Sequence, residues 1–288
     1  MFTNTMKTTV LLAAMGALVV GIASLLGGGS SSAVMFGFMI ALVMVGVSYW
    51  FSGSLALKSA KAQIITEADH PEFYGLVRDL TQRAGLPMPQ VAVSPAEQPN
   101  AFATGRNPQH AVVCATRGLL QNMTHEEIEG VMAHELMHVR HYDILIGSVA
   151  AAIAMAISSI AQMAWFSTMF TGGRDNEDRT NPLVILLISM IAPIAASIIQ
   201  MAVSRSREFD ADRGAAELLQ TGEPLARALE KLEAIGARVP MQVAPAQAQA
   251  YILNPLAGTP KRGVDMNRLF STHPSTEERI ARLRAMQF

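Results

Sequence analysis

Residues 124–147 read THEEIEGVMAHELMHVRHYDILIG, and within them stands His134-Glu135-Leu136-Met137-His138. In a helix, residues four apart share a face, so both imidazoles project together with the Glu135 carboxylate to one side. Two histidines at that spacing are weak evidence alone, because surface helices meet it by chance. A Glu directly after the first, on a helix with a marked start, makes the pattern strong. The start is Thr124 with Glu127 three residues on, the spacing of a capping box. Each imidazole can give one nitrogen to a zinc ion, and Glu135 can then take a proton from a water that the ion has acidified. The stretch therefore predicts a helix that presents His134 and His138 as metal ligands and Glu135 as general base.

Two histidines leave a tetrahedral ion short of a protein ligand. The sequence offers Glu208, Asp210, Asp212, His141 and His273. Glu208 and Asp212 lie four apart on a stretch from 205 to 219 that reads as a helix, so they share a face. A ligand histidine usually gives its other N–H to a carboxylate. Glu208 as ligand with Asp212 behind a histidine uses both residues, and the spacing alone leaves the reverse assignment open.

Composition sets the expected surroundings of this site. The hydrophobic fraction is 50% and the charged fraction 16%, against roughly 25% charged in ordinary soluble domains. The deficit is local: no Asp, Glu, Lys, Arg or His occurs at 8–57, 144–173 or 180–204. These runs predict four transmembrane helices in two hairpins, at about 8–27, 34–52, 144–170 and 182–203. Lys7, Lys58 and Lys61 would then face the cytoplasm by the positive-inside tendency. An N-terminal signal peptide is the rival reading of the first run, and the second run argues against it. The expected organisation is an N-terminal hairpin at 1–58, a first peptidase segment at 59–143, a second hairpin at 144–203 and a second peptidase segment at 204–288. A net charge of -1 gives no reason to invoke nucleic acid. The single Cys114 excludes an intrachain disulfide and a multi-cysteine metal site.

The polar segments read as a small sheet beside helices. Asp69 and Pro71 open a helix whose apolar face is Phe73, Leu76, Val77, Leu80 and Ala84, and Gly85 closes it. Strands are expected at 90–93, after Asn100, and at 111–116 with continuation toward Leu120. Another helix is expected at 224–235, an irregular excursion at 236–263, and a last helix after Ser275, with Glu278 completing a second capping-box spacing.

These motifs together resemble the HtpX family of membrane-embedded zinc peptidases, related to the endopeptidases that trim prenylated proteins. The resemblance is carried by HELMH at 134–138, RSREFDAD at 205–212, NAFA at 100–103 and His273-Pro274, and it covers nearly the whole chain. It implies an α-helical membrane protein of the bacterial inner membrane, with four transmembrane helices and a cytoplasmic zincin-like α+β metallopeptidase domain. It implies one Zn(2+) per chain held by His134, His138 and Glu208, with Asp212 supporting a ligand histidine. It further implies that Asn100, Ala101, Phe102 and Ala103 line the substrate cleft, and that His273 stabilises the oxyanion. Read bare, Asn100 is equally a turn residue and His273 a helix-cap residue. The implied partners are unfolded or misfolded membrane proteins and the lipid bilayer. The competing function is a non-catalytic metal-binding scaffold or quality-control adaptor. It leaves Glu135 without a purpose, and structural zinc sites usually use cysteine.

Overall fold

The computed structural model describes residues 29–144, 207–236, 238, 251–252 and 274–288, together with 13, 16–17 and 19–24. The chain divides into two compact units. One comprises Met1–Tyr49 with Val149–Val203, and the other Trp50–Ser148 with Ser204–Phe288.

The expectation of four transmembrane helices is corrected. Among the described residues, no helix is long and apolar enough to cross a membrane. The expected multi-pass inner-membrane location and the lipid bilayer as a partner are withdrawn with it. The 34–52 run lies inside helix α1 (Ser31–Ser59). Past Val47 its sequence turns to Ser48, Tyr49, Trp50, Ser52, Gly53 and Ser54, so the apolar stretch gives out well before the helix does. Scarcity of charge is thus not the same as spanning length. Of the other expected spans, 182–203, all of 144–170 but Ile144, and most of 8–27 lie outside the described residues.

The second unit is built on a four-stranded sheet. Strand β1 (Gln63–Ile65) pairs antiparallel with β2 (Gln90–Ser94), β2 pairs parallel with β4 (Ala111–Thr116), and β4 pairs antiparallel with β3 (Ala101–Gly105). The order β1-β2-β4-β3 leaves β3 at an edge. Alternation along the strands splits their side chains between two buried faces. Val91, Val113, Ala101 and Ala115 face the helices. Ala92, Val112, Cys114 and Phe102 face Tyr251 and the last turns of α1. Cover on both faces explains why all six β4 residues are buried.

Helix α2 (Pro71–Ala84) buries Phe73, Leu76, Val77, Leu80 and Ala84, the stripe that the sequence predicts. Gly85 ends it at φ 65, a left-handed conformation that glycine adopts without strain. Asp69 does not cap α2; its carboxylate accepts from the backbone N–H and hydroxyl of Thr66 at 2.8 and 2.7 Å. Strand β4 does not run on toward Leu120. The Thr116 hydroxyl accepts from Leu119 N–H at 3.1 Å, which caps a short helix α3 (Arg117–Asn122).

Helix α4 (His125–Arg140) carries the two histidines and opens with both halves of the Thr124/Glu127 capping box. Helix α5, described over 207–219, supplies Glu208 and Asp212. Helix α6 (Glu223–Gly236) buries Leu225, Leu229 and Leu232. Helix α7 (Thr276–Arg284) is capped by Ser275, whose side chain accepts from Glu278 N–H. Glu127 also accepts from Lys231 of α6 at 2.8 Å, tying the start of α4 to that helix.

Helices α4 and α6 meet at Gly130. A Cβ there would lie 2.6 Å from Leu225 N and 2.9 Å from Leu225 Cα, which is backbone and cannot swing aside. Gly130→Ala gains helix propensity, about 1 kcal/mol, but forces the two helices apart. Overpacking of this kind costs about 1–3 kcal/mol, so net destabilisation is expected. It is read as a lower denaturation midpoint in urea with an unchanged slope.

Candidate functional site

The α4 helix turns His134 and His138 onto one face, with ring centroids 4.7 Å apart and planes at 90°. Their Nε2 atoms approach to 3.1 Å. Glu208 on α5 faces both, its Oε1 3.4 Å from His138 Nε2 and its Oε2 3.6 Å from His134 Nε2. One ligand atom from each of the three lies within 4.8 Å of the others, the span of a single metal ion.

The outer ring nitrogens are held as well. His134 Nδ1 lies 2.9 Å from Asp212 Oδ1, and His138 Nδ1 lies 3.1 Å from Asp143 Oδ2. A carboxylate opposite Nδ1 fixes the proton there and turns the lone pair of Nε2 inward. Two such lone pairs and a carboxylate oxygen then converge on one point, a set that repels itself unless a cation lies between. The residues therefore fit a metal ion.

The electrostatics agree. Burial would raise the Asp212 carboxyl, but the Arg279 charge and hydrogen bonds outweigh it and hold the group down at about 2. Arg279 on α7 grips Asp212 with two bonds, Nε to Oδ2 at 2.8 Å and Nη2 to Oδ1 at 2.7 Å. Burial depresses the pKa of His134. At His138 burial acts the same way but is overcome by Asp143 and Glu208, which hold the ring up at about 10. A proton on His138 stands where a metal ion would, since both are drawn by the same carboxylates.

Glu135 is 2% exposed. Burial pushes its carboxyl up to about 7, against the pull of His138, and Glu208 adds to the rise. The Ala103 backbone N–H donates to this carboxylate, so the edge strand β3 holds it in place. Asn100 is buried at the entrance to β3, where its side-chain oxygen accepts from Ala101 N–H at 3.1 Å. Its own N–H donates to the Thr116 hydroxyl at 2.9 Å. Ala101 is buried, Phe102 packs edge-on against Tyr251 at 5.1 Å on the opposite sheet face, and Ala103 is half-buried. His273 lies outside the described residues.

The other ligand candidates are placed elsewhere. Asp210 is exposed and pairs with Arg213 at 2.9 Å, and His141 is the C-cap of α4. Asp212 reaches Nδ1 of His134, whereas Glu208 faces the two Nε2 atoms. Two residues of the site escape sequence reasoning. Asp143 sits just past the end of α4, where helical spacing no longer says what it faces. Arg279 lies in the charged run TEERIARLR, where residue type does not separate it from the exposed Arg282 and Arg284. The available signal was its place with Thr276 and Leu283 on the buried stripe.

The pattern of Peptidase family M48 matches residues 67–287. A protease HtpX homolog of Methylibium petroleiphilum is 49% identical over 287 residues, covering 98% of both chains. One from Polynucleobacter necessarius is 49% identical, covering 98% of this chain and 96% of its own. One from Burkholderia mallei is 48% identical, covering 98% and 97%. The crystal structure of S. mikatae Ste24p superimposes with a TM-score of 0.52 at 20% identity, covering 98% of this chain and 65% of that one. That likeness speaks to the fold alone. With the His134, His138 and Glu208 cluster beside the buried Glu135, these matches make the chain a member of peptidase family M48, an HtpX-like zinc-dependent metallopeptidase.

Proposed function

We propose that this peptidase holds one zinc ion per chain between His134 Nε2, His138 Nε2 and the Glu208 carboxylate, and that it cuts extended segments of unfolded polypeptide lying along β3. The observation that carries the reading is the pair of Nε2 atoms 3.1 Å apart, turned by Nδ1 partners toward one carboxylate. A nitrogen-rich set with one carboxylate and no thiolate suits zinc.

When bound, the ion acidifies a water and polarises the scissile carbonyl. The chain's own residues do the rest. Asp212 and Asp143 keep the ligand imidazoles in the inward-facing tautomer. Glu135, held by Ala103 N–H, takes the proton of the attacking water and passes it to the leaving amine. The competing reading, a structural metal site on a scaffold, gives Glu135 no role.

The substrate side rests on strand geometry. Asn100 turns its carbonyl to Thr116 N–H of β4 at 2.9 Å, so by alternation Ala101, Ala103 and Gly105 turn their backbone groups to the open edge. Ile252 N–H already donates to Ala101 O at 3.0 Å, and Ala103 N–H serves Glu135. The Ala103 carbonyl and Gly105 are then the groups with which a substrate strand pairs. Backbone pairing asks for extended chain and little for side-chain identity, which suits unfolded substrates. Asn100 sets the entrance to this strand. His273 is assigned as donor to the developing oxyanion on family likeness.

Two substitutions test the assignment. Glu135→Gln is expected to keep zinc at the wild-type stoichiometry and to lower cleavage of an unfolded substrate such as casein by about 10²–10⁴-fold. Glu208→Ala is expected to lose the zinc; a Glu208→Ala protein with full metal content would reject that ligand.

The pH profile gives a further check. Only ionised Glu135 accepts a proton, so kcat/KM rises with pH along an acidic limb. Its midpoint is expected at or below about 7, the pKa without a metal ion, because a cation nearby favours the ionised carboxylate. A kcat/KM that falls as pH rises from 5 to about 7 would remove Glu135 from the role of base.

A further inference from the structure

The end of α4 is shaped in a way that the ligand set does not explain. His141 closes the helix at φ -88 and ψ 1, with its N–H on Met137 O. The next residue, Tyr142, has φ 63. That is left-handed backbone, which a bulky L-residue adopts only where its surroundings hold it. Had the helix continued, residue 143 would stand roughly 140° around the axis from His138, facing away from it. The left-handed residue turns the chain back instead, and Asp143 reaches His138 Nδ1 at 3.1 Å.

The other oxygen of Asp143 faces Arg207, with Oδ1 3.6 Å from Nη1. Asp143 is 6% exposed and Arg207 9%, so both charges are largely out of water, where an opposite charge nearby favours each. Arg207 directly precedes Glu208, whose Oε1 lies 3.4 Å from the other nitrogen of His138. The first turn described in α5 thus addresses both sides of one imidazole. These residues also flank a long excursion. The chain leaves this unit after Ser148 and re-enters it at Ser204.

We infer that Asp143 is the positioning residue for His138, and that the Arg207 charge steadies its carboxylate, so that residues on either side of the 145–206 stretch meet at the metal site. Asp143 fixes the Nδ1 proton and the ring plane, and Arg207 steadies the carboxylate. A change that draws the two sides apart would loosen His138 as a ligand. The inference rests on the zinc reading proposed above.

The test is a zinc-affinity cycle on the full chain, by competition with a chromophoric chelator. Asp143→Ala is expected to weaken zinc binding by about 10–100-fold. Asp143→Asn still accepts from Nδ1–H and should lose several-fold. Arg207→Met should lose less than Asp143→Ala, and the Asp143→Ala/Arg207→Met double variant should bind no worse than Asp143→Ala alone, because the two act through one contact. Tyr142→Gly, which adopts the same backbone freely, should bind as wild type. Losses that multiply in the double variant, or an Asp143→Ala protein within twofold of wild type, overturn the inference. If Asp143→Ala does not fold, as read by circular dichroism of the apo form, Asp143→Asn decides, and unchanged affinity there overturns it. A wild-type chain that takes up no zinc sinks the cofactor reading and this inference together. Zinc uptake by wild type with an indifferent Asp143 sinks this inference alone.

Discussion

Two imidazole Nε2 atoms 3.1 Å apart, with one carboxylate facing both, are the constraint on which the site depends. Around them three carboxylates, Glu208, Asp212 and Asp143, face two guanidinium groups, Arg279 and Arg207. The pocket is short of positive charge, and its burial keeps water from making up the deficit. Burying such an arrangement is unfavourable unless its members are paired. The tight Asp212–Arg279 contact, with two bonds under 3 Å, is where that pairing is strongest. The protein tolerates this cost because the remaining imbalance selects for a cation at one point.

The sheet then converts a metal site into a peptidase. Its faces are both covered, and among the described residues β3 is one of its two edges. One residue of that edge, Ala103, holds Glu135 by its N–H, which couples the base to the strand beside which substrate is proposed to lie. Asn100 and the Thr116 hydroxyl fix where the strand begins. That hydroxyl accepts from two backbone N–H groups and donates to Gln98 O at 2.8 Å. The same side chain caps α3, so the end of β4 and the start of β3 are set by one group.

Much of this was legible because the signals are local. A capping box, an apolar stripe at helical spacing and an HExxH pair need no knowledge of distant chain, and the structure has all three. The Glu208 and Asp212 pair was legible as a pair, but which carboxylate faces which nitrogen is a question of side-chain reach across helices. Asp143 was hidden because its position depends on one left-handed residue. Arg279 was hidden because a buried arginine has the same letter as a solvated one, and two more stand beside it in α7. The membrane reading failed for a related reason. Absence of charge is a property of composition, whereas crossing a bilayer requires a helix that is both long and apolar, and among the described residues none is.

Arg279 belongs to α7, the last described helix in chain order, while the residues that it neutralises come much earlier. Until α7 docks, Asp212 has no counter-charge in its apolar surroundings, and breaking such a buried pair costs about 3–5 kcal/mol. Without α7 in place, the buried carboxylate behind His134 would lack the arginine that makes its burial tolerable, so the proposed metal site and the last described helix stand or fall together.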